Sequence, residues 1–260
     1  MMKVKELVKF LDQKFPFALA SSFDQGKMGL QVGSAESEVS GILITLDVTN
    51  DVVDEAIEKG ANVIISHHPF IFNPIIRIDY DETSGLKLVK VIKNNINIIN
   101  MHTNYDSAFG GMNDELAQII SLNNVKSYFE DQVDNNFLRY GTINELALKD
   151  LALIVKDKFN QTMVRVIGDL DKKISTVGIV GGSGAVEIDH ALEVNCDVLI
   201  TGEVKQNHAL YAREKGLAII EVSHHVESLF KEPLKNIIEE EFANANIFIS
   251  EKDVDPFTVI

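Results

Sequence analysis

The chain has 260 residues, 45% of them apolar, and a formal net charge of −15. That length and composition carry a buried core in one large or two small α/β domains and exclude a disordered chain, while the negative charge disfavours nucleic acid, whose phosphates it repels. A single cysteine, Cys196, excludes an intramolecular disulfide and a thiolate metal cluster, leaving nitrogen and oxygen ligands for any metal.

The opening stretch MMKVKELVKFLDQKF lacks the apolar core of a signal peptide, and no apolar run reaches membrane-spanning length, so a cytoplasmic chain with no membrane partner is expected. Apolar residues at three-to-four spacing predict helices over 3–14, 50–60, 84–95, 147–159, 185–195, 206–215 and 226–241. Between them GILITLD, NVIIS, INIIN, MVRVIG, TVGIV, DVLIT and LAIIEV are nearly continuous β-branched runs, as in strands covered on both faces by helices. Alternating strands and helices predict an α/β fold.

The second half repeats the first. VKELVKFLDQKF from Val4 matches LKDLALIVKDKF from Leu148, GILITLDVTNDVVDEAIEKGANVIIS from Gly41 matches TVGIVGGSGAVEIDHALEVNCDVLIT from Thr176, and INIINMHTNYD from Ile96 matches LAIIEVSHHVE from Leu217. Each match is weak alone; three in one order predict two similar, duplicated α/β domains, over 1–125 and 126–260. The alignment sets Asp106 over Glu227 and Thr103 over His224, so each half delivers a carboxylate just after the same strand.

Adjacent His67 and His68 follow strand NVIIS, Asp106 follows INIIN, and His224 and Glu227 follow LAIIEV with three-residue spacing. These are C-terminal strand ends, where open α/β sheets place ligands. Neighbouring histidines diverge and more easily serve two ions than one, and a bridging carboxylate could hold two ions about 3.5–4 Å apart. Imidazoles mixed with carboxylates suit Zn, Fe or Mn rather than a Ca or Mg cage. A lone histidine at a strand end is more often a hydrogen-bonded structural residue, and His102 and His208 show no partner at ligand spacing, so structural or supporting roles are their default. The GGSGAVE segment reads as a tight strand-to-helix turn before it reads as a phosphate cradle. Cys196 is expected to be a small buried apolar residue.

GLQVG from Gly29, ISHHPFIF, MHTNYD, the GGSG turn, DVLITGEVKQNHA and SHHVE together resemble, over nearly the whole chain, the family of type 2 GTP cyclohydrolase I homologues, also called the NGG-interacting-factor-three-like family. The resemblance implies two similar α/β domains packed around a dinuclear metal cleft. It further implies a toroidal homohexamer and two divalent ions per chain held by His67, His68, Asp106, His224 and Glu227. Many members have Gly-His before the final Glu, whereas Ser223 here precedes His224 and His225, so His225 stays open as a substitute for His224. The cyclohydrolase name implies hydrolytic opening of the guanine imidazole ring of GTP with formate release. The substrate expected is thus a small molecule, GTP or another nucleotide, with His102 as general acid or base beside the ions. A metallophosphoesterase and a non-catalytic metal-stabilised scaffold or metal-handling protein are the alternatives. Redox chemistry is disfavoured because no GxGxxG run opens a helix.

Overall fold

The structure is a computed structural model and describes residues 2–260. The chain folds into two compact units, one formed by residues up to Tyr105 with Phe230–Val254, the other by Asp106–Leu229 with Asp255–Ile260.

In the first unit β1 (Gly29–Val32), β2 (Ile42–Thr45), β3 (Val63–Ser66) and β4 (Asn97–Asn100) are joined by a late strand, Ile247–Ile249. The order is β1-β4-β3-β2-(Ile247–Ile249). All neighbours are parallel except β1, which runs antiparallel to β4. Every residue of β2, β3 and β4 is buried, which is why their sequences are apolar runs rather than alternations. Helices Asn50–Glu58 and Thr83–Lys93 make the crossovers. Thr49 caps the first of these by accepting from the Val52 N–H. Leu43, Val52, Ala56, Ile64, Val91 and Ile98 pack into one core.

The carboxyl-terminal segment is fastened to this unit by buried carboxylates. Asp253 pairs with Lys231 Nζ at 2.9 Å and accepts the Leu46 N–H at 2.8 Å. Glu55 accepts from the Ser250 hydroxyl at 2.6 Å and from the Glu251 N–H at 3.0 Å. Each unit therefore draws on two stretches of chain, whereas halves of 1–125 and 126–260 assume a single cut.

The second unit holds β5 (Asn123–Ser127), β6 (Arg139–Ala147), β7 (Arg165–Ile167), β8 (Lys173–Val180), β9 (Val198–Thr201) and β10 (Ala218–Glu221) in the order β5-β6-β8-β9-β10-β7. Strands β8, β9 and β10 are parallel and β7 lies antiparallel on β10, the same arrangement as β2, β3 and β4 with β1. Registers correspond as well: Thr45 pairs with Ser66 and Ser66 with Asn100, as Val180 pairs with Thr201 and Thr201 with Glu221. Helix 185–195 expected from spacing is a 3-10 turn, Gly184–Glu187, running into Ile188–Glu193; helix 226–241 divides into a 3-10 stretch, His224–Phe230, and Lys231–Glu241. Among the described residues no helix is long and apolar enough to cross a membrane.

Candidate metal centre

In the first unit the site grows from the C-terminal ends of β3 and β4. Strand pairing continues past β3: the His67 N–H donates to the Thr45 carbonyl at 3.2 Å and the His68 N–H to the Leu46 carbonyl at 3.0 Å. The Asn100 side-chain amide donates to the carbonyls of Ser66 (3.2 Å) and His67 (2.6 Å), so the backbone carrying both histidines is held from β4. His67 is fully buried, with its ring centroid 5.6 Å from Phe230. Sequence spacing gave His102 no partner, yet the fold brings it in. Its ring centroid lies 5.2 Å from that of His67 and 5.6 Å from that of His68, and one ring nitrogen from each of the three lies within 4.8 Å of the others.

In the second unit the corresponding strand ends carry carboxylates. His224 opens the 3-10 stretch after β10, and the tight 3-10 winding turns Glu227 back onto it: His224 Nε2 is 3.1 Å from Glu227 Oε2. Glu227 is 4% exposed. A carboxylate oxygen of Asp106, on the short helix Thr103–Ser107, lies within 4.8 Å of one from Glu227. Asn113 ties this together, donating to the Asp106 carbonyl at 3.0 Å and accepting the Gly181 N–H at 2.8 Å. The GGSG turn is a tight strand-to-helix turn whose glycines admit these groups. Gly182 has φ +52°, and a Cβ there would sit 2.5 Å from Glu227 Oε1. A Cβ on Gly202 would sit 2.9 Å from the His224 Cα.

The donor chemistry is of a kind that could hold a metal ion. His68 Nδ1 bonds Asp47 Oδ1 at 2.9 Å, His224 Nδ1 bonds Glu203 Oε1 at 2.9 Å, and His102 Nδ1 bonds Asp24 Oδ2. A carboxylate on the far ring nitrogen is the usual support of a metal-binding or proton-transferring imidazole, because it fixes both ring orientation and tautomer. A neutral His224 that donates from Nδ1 to Glu203 turns the Nε2 lone pair toward the Glu227 carboxylate. Two lone-pair atoms at 3.1 Å repel unless a cation or a proton stands between them. Glu203 is held below the usual carboxylate range by the Ser183 hydroxyl and, against the opposing effect of burial, by His224.

His225 is placed differently: its N–H donates to the Ser223 hydroxyl oxygen at 3.2 Å, and Ser223 in turn donates to Asp255. His208 lies on the helix Gln206–Lys215. Cys196 is buried in the second unit's core, and burial, with the neighbouring Asp197 charge second, pushes its thiol up to about 12, as a small apolar residue requires. Asp24, Asp47 and Glu203 were not singled out from the sequence. The only signal for one of them was the internal alignment, which continued past Ser66 and Thr201 sets Glu203 over His68.

A family model described as Duf34/NIF3 (NGG1p interacting factor 3) matches residues 2–256. A Clostridium acetobutylicum protein named GTP cyclohydrolase 1 type 2 homolog is 32% identical over 265 residues, covering 98% of each chain. Among solved structures, a Bacillus cereus protein related to NIF3 superposes with a TM-score of 0.94 at 28% identity, over 100% of this chain and 99% of that one. A Staphylococcus aureus hypothetical protein superposes with a TM-score of 0.92 at 32% identity and the same coverage.

Proposed function

The chain belongs to the Duf34/NIF3 family, and from that membership we propose that it is a two-metal hydrolase acting on GTP or a related nucleotide. The ligands in this reading are His67, His68, Asp106, His224 and Glu227, with His102 beside them as the proton-transfer group. The observation that carries it is the His224–Glu227 pair, whose facing ligand atoms are backed by Glu203 on the other side of the ring. Three further features support it: His67, His68 and His102 gather at two neighbouring strand ends, Asp106 and Glu227 bring carboxylate oxygens together, and a Gly182 without Cβ leaves room for Glu227. Carboxylates on both ring nitrogens, Glu203 at Nδ1 and Glu227 at Nε2, favour His224 as the ligand.

When bound, two divalent ions supply Lewis acidity and make water acidic enough to serve as a nucleophile near neutral pH. Asp47 and Glu203 orient His68 and His224, while His102 accepts a proton on one ring nitrogen and later returns it to the leaving group. The recurring strand order fits a duplicated α/β unit, and family membership favours the homohexamer and a cytoplasmic setting.

The substrate half of this reading is tested by formate release from GTP. Protein reconstituted with Zn, Mn or Fe is expected to release formate, chelator to abolish the release, and re-added metal to restore it. Turnover of phosphoesters with no formate from GTP would assign the metallophosphoesterase chemistry instead. No turnover of either by metal-replete protein would leave a metal-stabilised scaffold.

A further inference from the structure

The segment Ser21–Met28 wraps the turn that follows β4, and its contacts converge on one histidine. Asp24 is brought inward by two successive turns: its N–H donates to the Ser21 carbonyl at 2.8 Å, and the Lys27 N–H donates to the Asp24 carbonyl at 3.0 Å. The Asp24 side chain is fully buried, and a single oxygen, Oδ2, accepts from the Thr103 hydroxyl at 2.8 Å and bonds His102 Nδ1. Thr103 Oγ1 in turn accepts the Ser21 N–H at 3.0 Å, and the His102 backbone N–H donates to the Met28 sulfur at 3.3 Å. On the other oxygen, Lys27 Nζ stands 3.4 Å from Oδ1 and lies 3.6 Å from the centre of the Phe72 ring.

Burial alone would push the Asp24 carboxyl up, but His102, Thr103 and Lys27 outweigh it and hold the group below its ordinary range. Asp24 is therefore an anion in the interior, and a buried anion that accepts a ring N–H holds the ring far more firmly than a solvated one. Asp47, which supports His68, is the contrast: its side chain is 53% exposed, and water can replace it at little cost. Closing the loop already employs the Thr103 hydroxyl and backbone groups, so the imidazole contact is the part of the network that loop closure does not need.

We propose that Asp24 is a positioning residue that fixes His102 with its proton on Nδ1, leaving the Nε2 lone pair as the proton acceptor of the centre. The inference rests on the metal-centre reading above for its use in catalysis, but not for the tautomer itself. In the reaction a water or substrate O–H bond breaks, the proton joins His102 Nε2, and the imidazolium keeps its Nδ1–H on Asp24, which stays ionised and balances the new charge. The proton then leaves Nε2 for the departing group, and the ring returns to its starting form.

Nitrogen-15 NMR of the histidine side chains, in metal-free protein with neutral rings, reads the tautomer directly. In the wild type His102 is expected to show a protonated Nδ1 and an unprotonated Nε2. Asp24→Leu, which removes both acceptors at similar volume, is expected to reverse that assignment. Asp24→Asn is expected to retain it, because the amide oxygen takes the place that receives two donors and the amide nitrogen the place beside Lys27. Metal content should be the same in all three proteins, while formate release falls by about 100-fold or more in Asp24→Leu, the low end of what a lost proton-transfer group costs. A wild-type His102 protonated on Nε2 overturns the proposal without any variant being made, and so does an Asp24→Leu protein that keeps the wild-type tautomer or loses metal in step with activity. Absence of metal from the wild type would instead remove the metal-centre reading while leaving the tautomer result to stand or fall by itself.

Discussion

Replacing Glu227 by alanine is expected to weaken divalent-metal binding by more than about 100-fold, beyond the 10–100-fold typical of losing a group that only supports a ligand. The side chain is 4% exposed, lies against the Nε2 of His224, and shares its surroundings with a carboxylate oxygen of Asp106. Its removal deletes a negative charge from a buried place where water substitutes poorly, so the loss is undiluted by solvent screening. Competition against a chromophoric chelator measures it. His225→Ala, by contrast, is expected to change affinity by less than about threefold, well under the change expected for a supporting group. Equal effects of the two substitutions would contradict the choice of His224 and Glu227.

Arg139→Leu is expected to destabilise the protein by about 3–5 kcal/mol, the usual result of breaking a buried ionic network from one side. Arg139 is 1% exposed, and its guanidinium satisfies four acceptors: Asp114 Oδ1 at 2.9 Å and the carbonyls of Asn136 (2.7 Å), Ala108 (3.0 Å) and Ser107 (3.3 Å). Leucine fills the volume but leaves those acceptors stranded, at about 1–3 kcal/mol for each that water cannot reach. For a chain of this size the midpoint of thermal unfolding should drop by roughly 10 °C. Arg139→Lys should recover only a minor part, since an ammonium cannot span four divergent acceptors as the planar fork does. Ser107 and Ala108 directly follow Asp106, so the same variant should also weaken metal binding. A change in stability below about 1 kcal/mol, as for an ordinary surface site, would show that the network is not needed.

What could be read from the sequence follows from how each signal is written. Strands β2, β3, β4, β9 and β10 are legible because burial on both faces makes each an unbroken apolar run, and His67, His68, His224 and Glu227 are legible because they sit where those runs stop. Strand β5, Asn123–Ser127, is mostly exposed and reads as loop; β6, Arg139–Ala147, alternates too irregularly to register. The return of Lys231–Glu241 and Ile247–Ile249 to the first unit depends on Asp253 meeting the Leu46 N–H and on Glu55 meeting Ser250, pairings distant in sequence that leave no local period. Asp24, Asp47 and Glu203 are three among 39 acidic residues, and nothing in their neighbours separates a carboxylate that orients an imidazole from one that faces solvent. His102 is a candidate only as an acid or base beside the expected ions, because its partner Asp24 comes from the Ser21–Met28 loop, far away in sequence, and leaves no signal at ligand spacing.

The most direct test of the two-metal centre is elemental analysis of wild-type protein reconstituted with Zn, Mn or Fe at neutral pH and then dialysed to remove loosely held ions. About two ions per chain are predicted, one for each set of ligands a two-metal hydrolase needs. A value near one would contradict the dinuclear centre, and a value near zero would contradict the metal centre altogether.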